Sequence, residues 1–116
     1  MQLTLIVPNL GNFGKDNFYN RQEVGMARAL LQFGFRPRVI NLDATQSEEV
    51  IRNTVDGIDL VRLRAKSFGS HGLVSASVLS NWLVGPVIAF SDLQLLVPTL
   101  HKICRSRGQS LYPYIG

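Results

Sequence analysis

Residues 6–14, IVPNLGNFG, carry an apolar run through a proline into a loop that holds Gly11 and Gly14 at a G-x-x-G spacing. Glycines at that point serve either a tight turn or the close approach of the backbone to a bound group. The loop is neither of the two common nucleotide fingerprints. A dinucleotide site needs G-x-G-x-x-G, and a P-loop needs G-K-[ST] after four residues. Here Lys15 follows Gly14 directly, and Asp16 stands where a Ser or Thr would hold magnesium. Asp92, in the FSD that follows an apolar run, is a carboxylate in reach of two roles. It can take a proton from an attacking hydroxyl, or it can cap the next helix, as can Ser91 beside it. His71 lies in a Gly/Ser-rich stretch and is placed either to touch a substrate or simply to face solvent. His101 and Cys104 fall inside a helical segment and are assigned no chemistry, and Trp82 is read as packing. With two histidines and a single cysteine, neither a structural zinc site nor an internal disulfide is expected.

The elements that must position these residues are legible from periodicity. Five strand-like runs are expected: LTLIVP, RVINLD (38–43), IDLVRLR (58–64), PVIAFS (86–91) and SLYPYIG at the end. The first is almost continuously apolar, as in a strand buried on both faces. The third alternates Leu60, Arg62 and Arg64 against Asp59, Val61 and Leu63, so a place toward the edge of the sheet is expected. Pro113 puts the fifth at an edge. Between them, Val24, Ala27 and Leu31 with Leu30 make a helical stripe that Gly34 terminates. Thr45 and Glu48 have capping-box spacing, which predicts a helix over TQSEEVIRNTVDG with Thr45 as N-cap. Leu100, Ile103 and Cys104 make a third stripe, with Pro98 in its first turn. Residues 65–85 read as a loop followed by a short helix through Val78, Leu79 and Trp82.

Strand and helix in alternation imply an α/β fold, a three-layer, Rossmann-like, doubly wound parallel sheet of five strands in the order 3-2-1-4-5. Ligands gather at the carboxyl ends of such strands. Those ends carry Asn9 to Asn17, Asp43, Ala65 to Gly72, and Ser91 with Asp92.

The 116 residues make one domain, 46% hydrophobic and only 17% charged, against a globular average of roughly 25%. The low charge predicts apolar surface turned toward a partner or toward a missing part of the chain. Net charge is +4, and three of its basic residues cluster in KICRSR. They suit either a solvated helix face or an anionic membrane surface or phosphorylated substrate. Nucleic acid is not expected, because no recognised motif accompanies the charge. With no spanning segment or signal peptide, a cytoplasmic, at most membrane-peripheral, location is expected.

PNLGNFG…YNRQEVGMARALLQFGFRPRVINLD, through Gln22, Glu23, Gly25, Ala27, Ala29, Leu30, Gly34–Phe35 and Val39, resembles the opening of GT-B glycosyltransferases of the glycogen-synthase-like group. FSDLQLLVP…LYPYIG is similar to a later part of the same amino-terminal domain in transferases of bacterial cell-surface polysaccharides. The resemblance implies an acceptor-side domain for a glycan or polyprenyl-phosphate-linked acceptor, working with a separate donor domain that binds the nucleotide-sugar and with no cofactor. It places Gly11, Asn12, Phe13 and Gly14 against the donor diphosphate or leaving group. It makes Asp92 the catalytic candidate toward a sugar hydroxyl, with Tyr19, His71 and Ser91 toward substrate. Glu23 complements the helix dipole and needs no catalytic role. The donor half being absent from residues 1–116, the chain is read as a truncated amino-terminal half or a split-transferase subunit. Alone it is expected to transfer no sugar and to self-associate as a homo-oligomer through its last strand or the neighbouring helix face, the competing outcome being a monomer whose short last strand is blunted by Pro113. A non-catalytic flavodoxin-like or receiver-like regulatory module is the alternative. A receiver needs an acidic pair after the first strand and an Asp after the third, where this chain has Val-Pro-Asn and Arg-Ala-Lys. A flavodoxin loop should be rich in Ser and Thr, and LGNFGKDN is not.

Overall fold

The computed structural model describes residues 1–7, 22–68, 71–90 and 96–114. Its elements run β1 (Gln2–Val7), α1 (Gln22–Gln32), β2 (Arg36–Asp43), β3 (Val50–Val55), β4 (Ile58–Arg64), β5 (Lys66–Phe68), β6 (His71–Leu73), α2 (Ala76–Ser80), β7 (Val87–Phe90), α3 (Val97–Arg107) and β8 (Leu111–Tyr114). Six strands form one mixed, mostly parallel sheet in the order β3-β4-β2-β1-β7-β8, and β5 and β6 pair separately. The architecture is broadly Rossmann-like, but the five-stranded, all-parallel sheet expected from periodicity needs correction. The sheet has a sixth strand, β3, which lies antiparallel to β4 at the edge and changes the order. The remaining neighbours, β4 with β2, β2 with β1, β1 with β7 and β7 with β8, are all parallel.

The helix expected over residues 45–57 is the origin of that difference. Thr45 does not cap a helix. Its N–H and its hydroxyl both donate to Asp43 Oδ1, at 2.8 and 2.6 Å, closing a turn after β2. From Val50 the chain is extended and reverses at Asp56–Gly57, with φ of 53° and 82°. Both central residues of a two-residue type I′ hairpin need positive φ, and Asp-Gly is among the best pairs for it. The β-branched Val50, Ile51, Thr54 and Val55 suit a pleated surface better than a helix. Two stacked signals for a hairpin therefore outweigh one capping box.

Residues 65–85 also hold more than a loop and a helix: β5 and β6 form an antiparallel ladder of three residue pairs. The short helix follows, its N–H at Val78 donating to Ser75 Oγ. Trp82 lies just beyond it, half-buried and packed on the core.

Two apolar layers cover the sheet. On one face Ile6, Ile40, Leu42, Val61, Leu63, Val87 and Ala89 meet Leu79, Leu83, Leu100, Ile103 and Cys104 from α2, α3 and their flanks. On the other, Leu3, Leu5, Val7, Val39 and Ile58 meet Ala27, with Leu30 and Leu31 of α1 alongside. Ala27, Leu30 and Leu31 of the stripe read for α1, and Leu100, Ile103 and Cys104 of that read for α3, make these contacts. The side chain of Val24 lies outside the described residues. Burial raises the Cys104 thiol pKa. Gly34, at φ 87°, ends α1, and Pro98 sits in the first turn of α3. At β8, Val87 N–H donates to Ser110 C=O at 2.8 Å. In a parallel ladder that alternation points the backbone N–H and C=O positions of residues 111 and 113 away from β7, while the Leu111 side chain packs on the core. Pro113 thus costs the sheet no bond and removes a donor from the open edge.

At the amino end of β2 and β4, Asp59 holds two arginines. Arg38 Nε lies 2.8 Å from Asp59 Oδ2, and Arg52 donates to both Asp59 oxygens at 3.0 Å. Both guanidinium carbons lie over the Trp82 ring, 5.5 and 5.8 Å from its centre, so that ring packs against protein cations. Burial alone would raise the Asp59 pKa, but the hydrogen bonds and charges of Arg52 and Arg38 outweigh it and the net shift is downward. A depressed folded pKa contributes stability above the unfolded value of about 3.9, lost as pH falls through the folded value. Asp59→Asn is therefore expected to destabilise the domain near neutrality, with the deficit shrinking in strong acid. Urea unfolding at both pH extremes measures it, and an equal deficit at both would refute the assignment.

Candidate functional site

The carboxyl ends of β2 and β4 are tied together by the segment that follows β2. Ala65 N–H donates to Asp43 C=O at 3.0 Å and Arg64 N–H to Glu49 C=O at 2.9 Å. The Gln46 amide donates to the carbonyls of Glu48 and Arg62. Asp43 has a lowered pKa, chiefly because the Thr45 hydroxyl donates to it. It is a carboxylate engaged in holding a turn.

Between this segment, the exit of β4 and the start of α2 lies a cleft of about 640 Å³. Its apolar wall is Ala44, Ala65, Leu73, Val74 and Val78, and its polar groups are Arg64, Lys66, Glu49 and Ser75. Arg64 and Lys66 are exposed. One nitrogen of Arg64, Nη1, donates to Ser47 C=O at 2.8 Å, which orients the guanidinium and leaves its other donors for a ligand. Lys66 has no ion-pair partner among the described residues. Strand alternation puts Arg64 and Lys66 on one side of β4–β5, across the buried Ala65. Two cations beside an apolar wall suit an anionic group attached to a body with a nonpolar face, and Glu49 adds an acceptor for hydroxyls. Among the described residues there is no cluster of three metal-ligating side chains.

Of the residues singled out in the sequence, Gly11, Asn12, Phe13, Gly14, Tyr19, Ser91 and Asp92 lie outside the described residues. The N-cap of α3 is Leu96, which makes no side-chain cap, so neither Ser91 nor Asp92 is that helix's N-cap. His71 opens β6 and pairs with Phe68 rather than lying in a loop. It is thus carried by the hairpin that leads into the cleft wall at Leu73. Arg64, Lys66, Glu49 and Ser75 were not singled out by motif. The available signal was Arg-Ala-Lys at a strand's carboxyl end, the position where open α/β sheets bind ligands.

No described helix is long and apolar enough to cross a membrane. Compared with protein-family models, with curated proteins and with solved structures, the chain shows no match.

Proposed function

We propose that this chain is the acceptor-holding domain of a glycosyltransferase and that the cleft at the carboxyl edge takes an anionic sugar. The observation that carries the reading is the pairing of Arg64 and Lys66 beside an apolar wall, at the strand ends where such sheets hold ligands. The sequence resemblance to GT-B amino-terminal domains supplies the reaction class. In this reading Arg64 and Lys66 hold a phosphate or carboxylate by charge-assisted hydrogen bonds. Leu73, Val74 and Val78 lie against the carbon face of the sugar, and Glu49 accepts from its hydroxyls. Asp92 remains the candidate base toward the attacking hydroxyl, and the nucleotide-sugar is held by a partner domain.

Titration calorimetry with glucose 1-phosphate, glucose and inorganic phosphate tests the cleft. Glucose 1-phosphate is expected to bind more tightly than either part alone. Arg64→Ala and Lys66→Ala should each weaken it about tenfold, the worth of one charge-assisted hydrogen bond. Undiminished binding by both variants, or no binding by the wild-type chain, would overturn the assignment.

A further inference from the structure

The six-stranded sheet has two outer strands, β8 and β3. Natural sheets guard such edges with proline, bulges or outward charges, because unpaired N–H and C=O groups invite another strand. At β8, Pro113 is that guard. β3, with the sequence VIRNTV, has no proline. Its register with β4 runs residue for residue from Val50 with Leu63 to Val55 with Ile58, without a bulge. Arg52, Asn53 and Thr54 at its centre are exposed. The strand's one charge is no guard either. Arg52 donates to both Asp59 oxygens on β4 and lies over the Trp82 ring, so its guanidinium leans back across the sheet, away from the open edge.

The alternation along β3 decides what fits that edge. The Asp56–Gly57 turn closes on Val55 and Ile58, and the closing pair of a two-residue hairpin exchanges hydrogen bonds. At the other end the bond from Arg64 N–H to Glu49 C=O keeps the same alternation. Ile51, Asn53 and Val55 therefore bond to β4, and the N–H and C=O groups of Val50, Arg52 and Thr54 face the open edge. The side chains of Ile51, Asn53 and Val55 stand on the α1 face of the sheet, in register with Arg62, Leu60 and Ile58. Ile51 and Val55 are half-buried yet belong to neither of the two apolar layers.

We propose that β3 pairs antiparallel with β3 of a second copy of this chain, about a twofold axis at Asn53, and joins two sheets into one. A twofold axis perpendicular to the sheet keeps both faces continuous, so each residue meets one from its own face. Two such registers overlap the strands most fully. Centred on Arg52, the pairing would set like charges directly opposite, which is unfavourable. Centred on Asn53, it sets Arg52 opposite Thr54, and these two exchange their outward backbone bonds. Ile51 then meets Val55 on either side of the paired asparagines, at the non-hydrogen-bonded positions where cross-strand side chains come closest. Two apolar residues left out of both cores thus find their complement in the same two residues of the other copy. An extended segment of a different protein would meet the same backbone groups but would gain nothing from that match. The contact is small, so the dimer is weak and reversible. It stops at two copies, because the twofold pairing occupies both β3 edges and Pro113 blunts the β8 edges.

Analytical ultracentrifugation of the 116-residue chain over a range of concentrations tests it. The wild-type mass is expected to rise from monomer to dimer and no further. Asn53→Lys and Asn53→Asp each set like charges opposite at the axis and should each weaken dimerisation about fivefold. An equimolar mixture of the two should restore it, because Lys then faces Asp. Asn53 is exposed, and circular dichroism will show that both variants stay folded. Thr54→Pro, which removes an outward N–H and no bond to β4, should abolish the dimer. Asn53→Lys should leave glucose 1-phosphate affinity unchanged, which separates a failure here from a failure of the cleft. A wild-type chain that stays monomeric up to about 1 mM, or Asn53 variants that dimerise as wild type does, would overturn the proposal. So would a mixture that associates no more tightly than either variant alone.

Discussion

Gly85→Ala is expected to cost the domain about 3 kcal/mol or more, a large share of the roughly 5–15 kcal/mol by which domains are stable. Gly85 lies in the bend that feeds β7, with φ at +58°, where a side chain is already strained. The larger penalty is steric. A Cβ there would sit 1.9 Å from the carbonyl oxygen of Gln2 and 2.9 Å from its carbon. Both are backbone atoms of the central strand β1, which is hydrogen-bonded on both sides, so neither can move without breaking the ladder. Gly34→Ala is the proper comparison. It has a positive φ of 87° but open space around the added carbon, so it should show only the backbone strain, about 1–2 kcal/mol. Urea unfolding of the two variants measures the difference. A Gly85→Ala protein no less stable than Gly34→Ala would show that the bend does not pack against β1 in this way.

The second large effect is expected at Thr4, on the same contact. Its side chain is fully buried, and its hydroxyl is used twice. Oγ1 donates to Val84 C=O at 2.8 Å and accepts from Val84 N–H at 2.8 Å. With Thr4 N–H donating to Pro86 C=O, the segment before β7 is clasped to β1 from both sides. Thr4→Val keeps the shape and the strand preference and removes only the hydroxyl. It leaves both polar groups of the half-buried Val84 without their partner, at about 2 kcal/mol. Thr4→Ser retains the hydroxyl and should be the milder change. Amide exchange adds a local readout, since the Val84 N–H should exchange faster in Thr4→Val than in wild type. Unchanged exchange there, with unchanged stability, would refute the clasp.

The residues of this chain determine its helices and parallel strands by themselves, because those elements advertise themselves in local periodicity. The stripes Ala27–Leu31 and Leu100–Cys104, the stop at Gly34 and the edge strand with Pro113 follow from side-chain spacing and from the backbone limits of glycine and proline. Where two local signals competed, the outcome was settled by tertiary pairing. Residues 45–57 carry both a capping-box spacing and an Asp-Gly hairpin. The hairpin prevails because β3 gains a full antiparallel ladder on β4, while an isolated helix of about three turns would have gained little. The cleft was the least legible part. Arg64 and Lys66 are ordinary strand-end cations in the sequence, and Ser75 and Val78 lie about ten residues further on. Only the β5–β6 hairpin, which turns the chain back beside the exit of β4, brings them around one space. The same holds for Asp59, which meets Arg38 and Arg52 through strand register. A local pattern fixes which face a residue occupies, but which distant residue it meets there depends on the pairing of strands, and that is a property of the folded sheet.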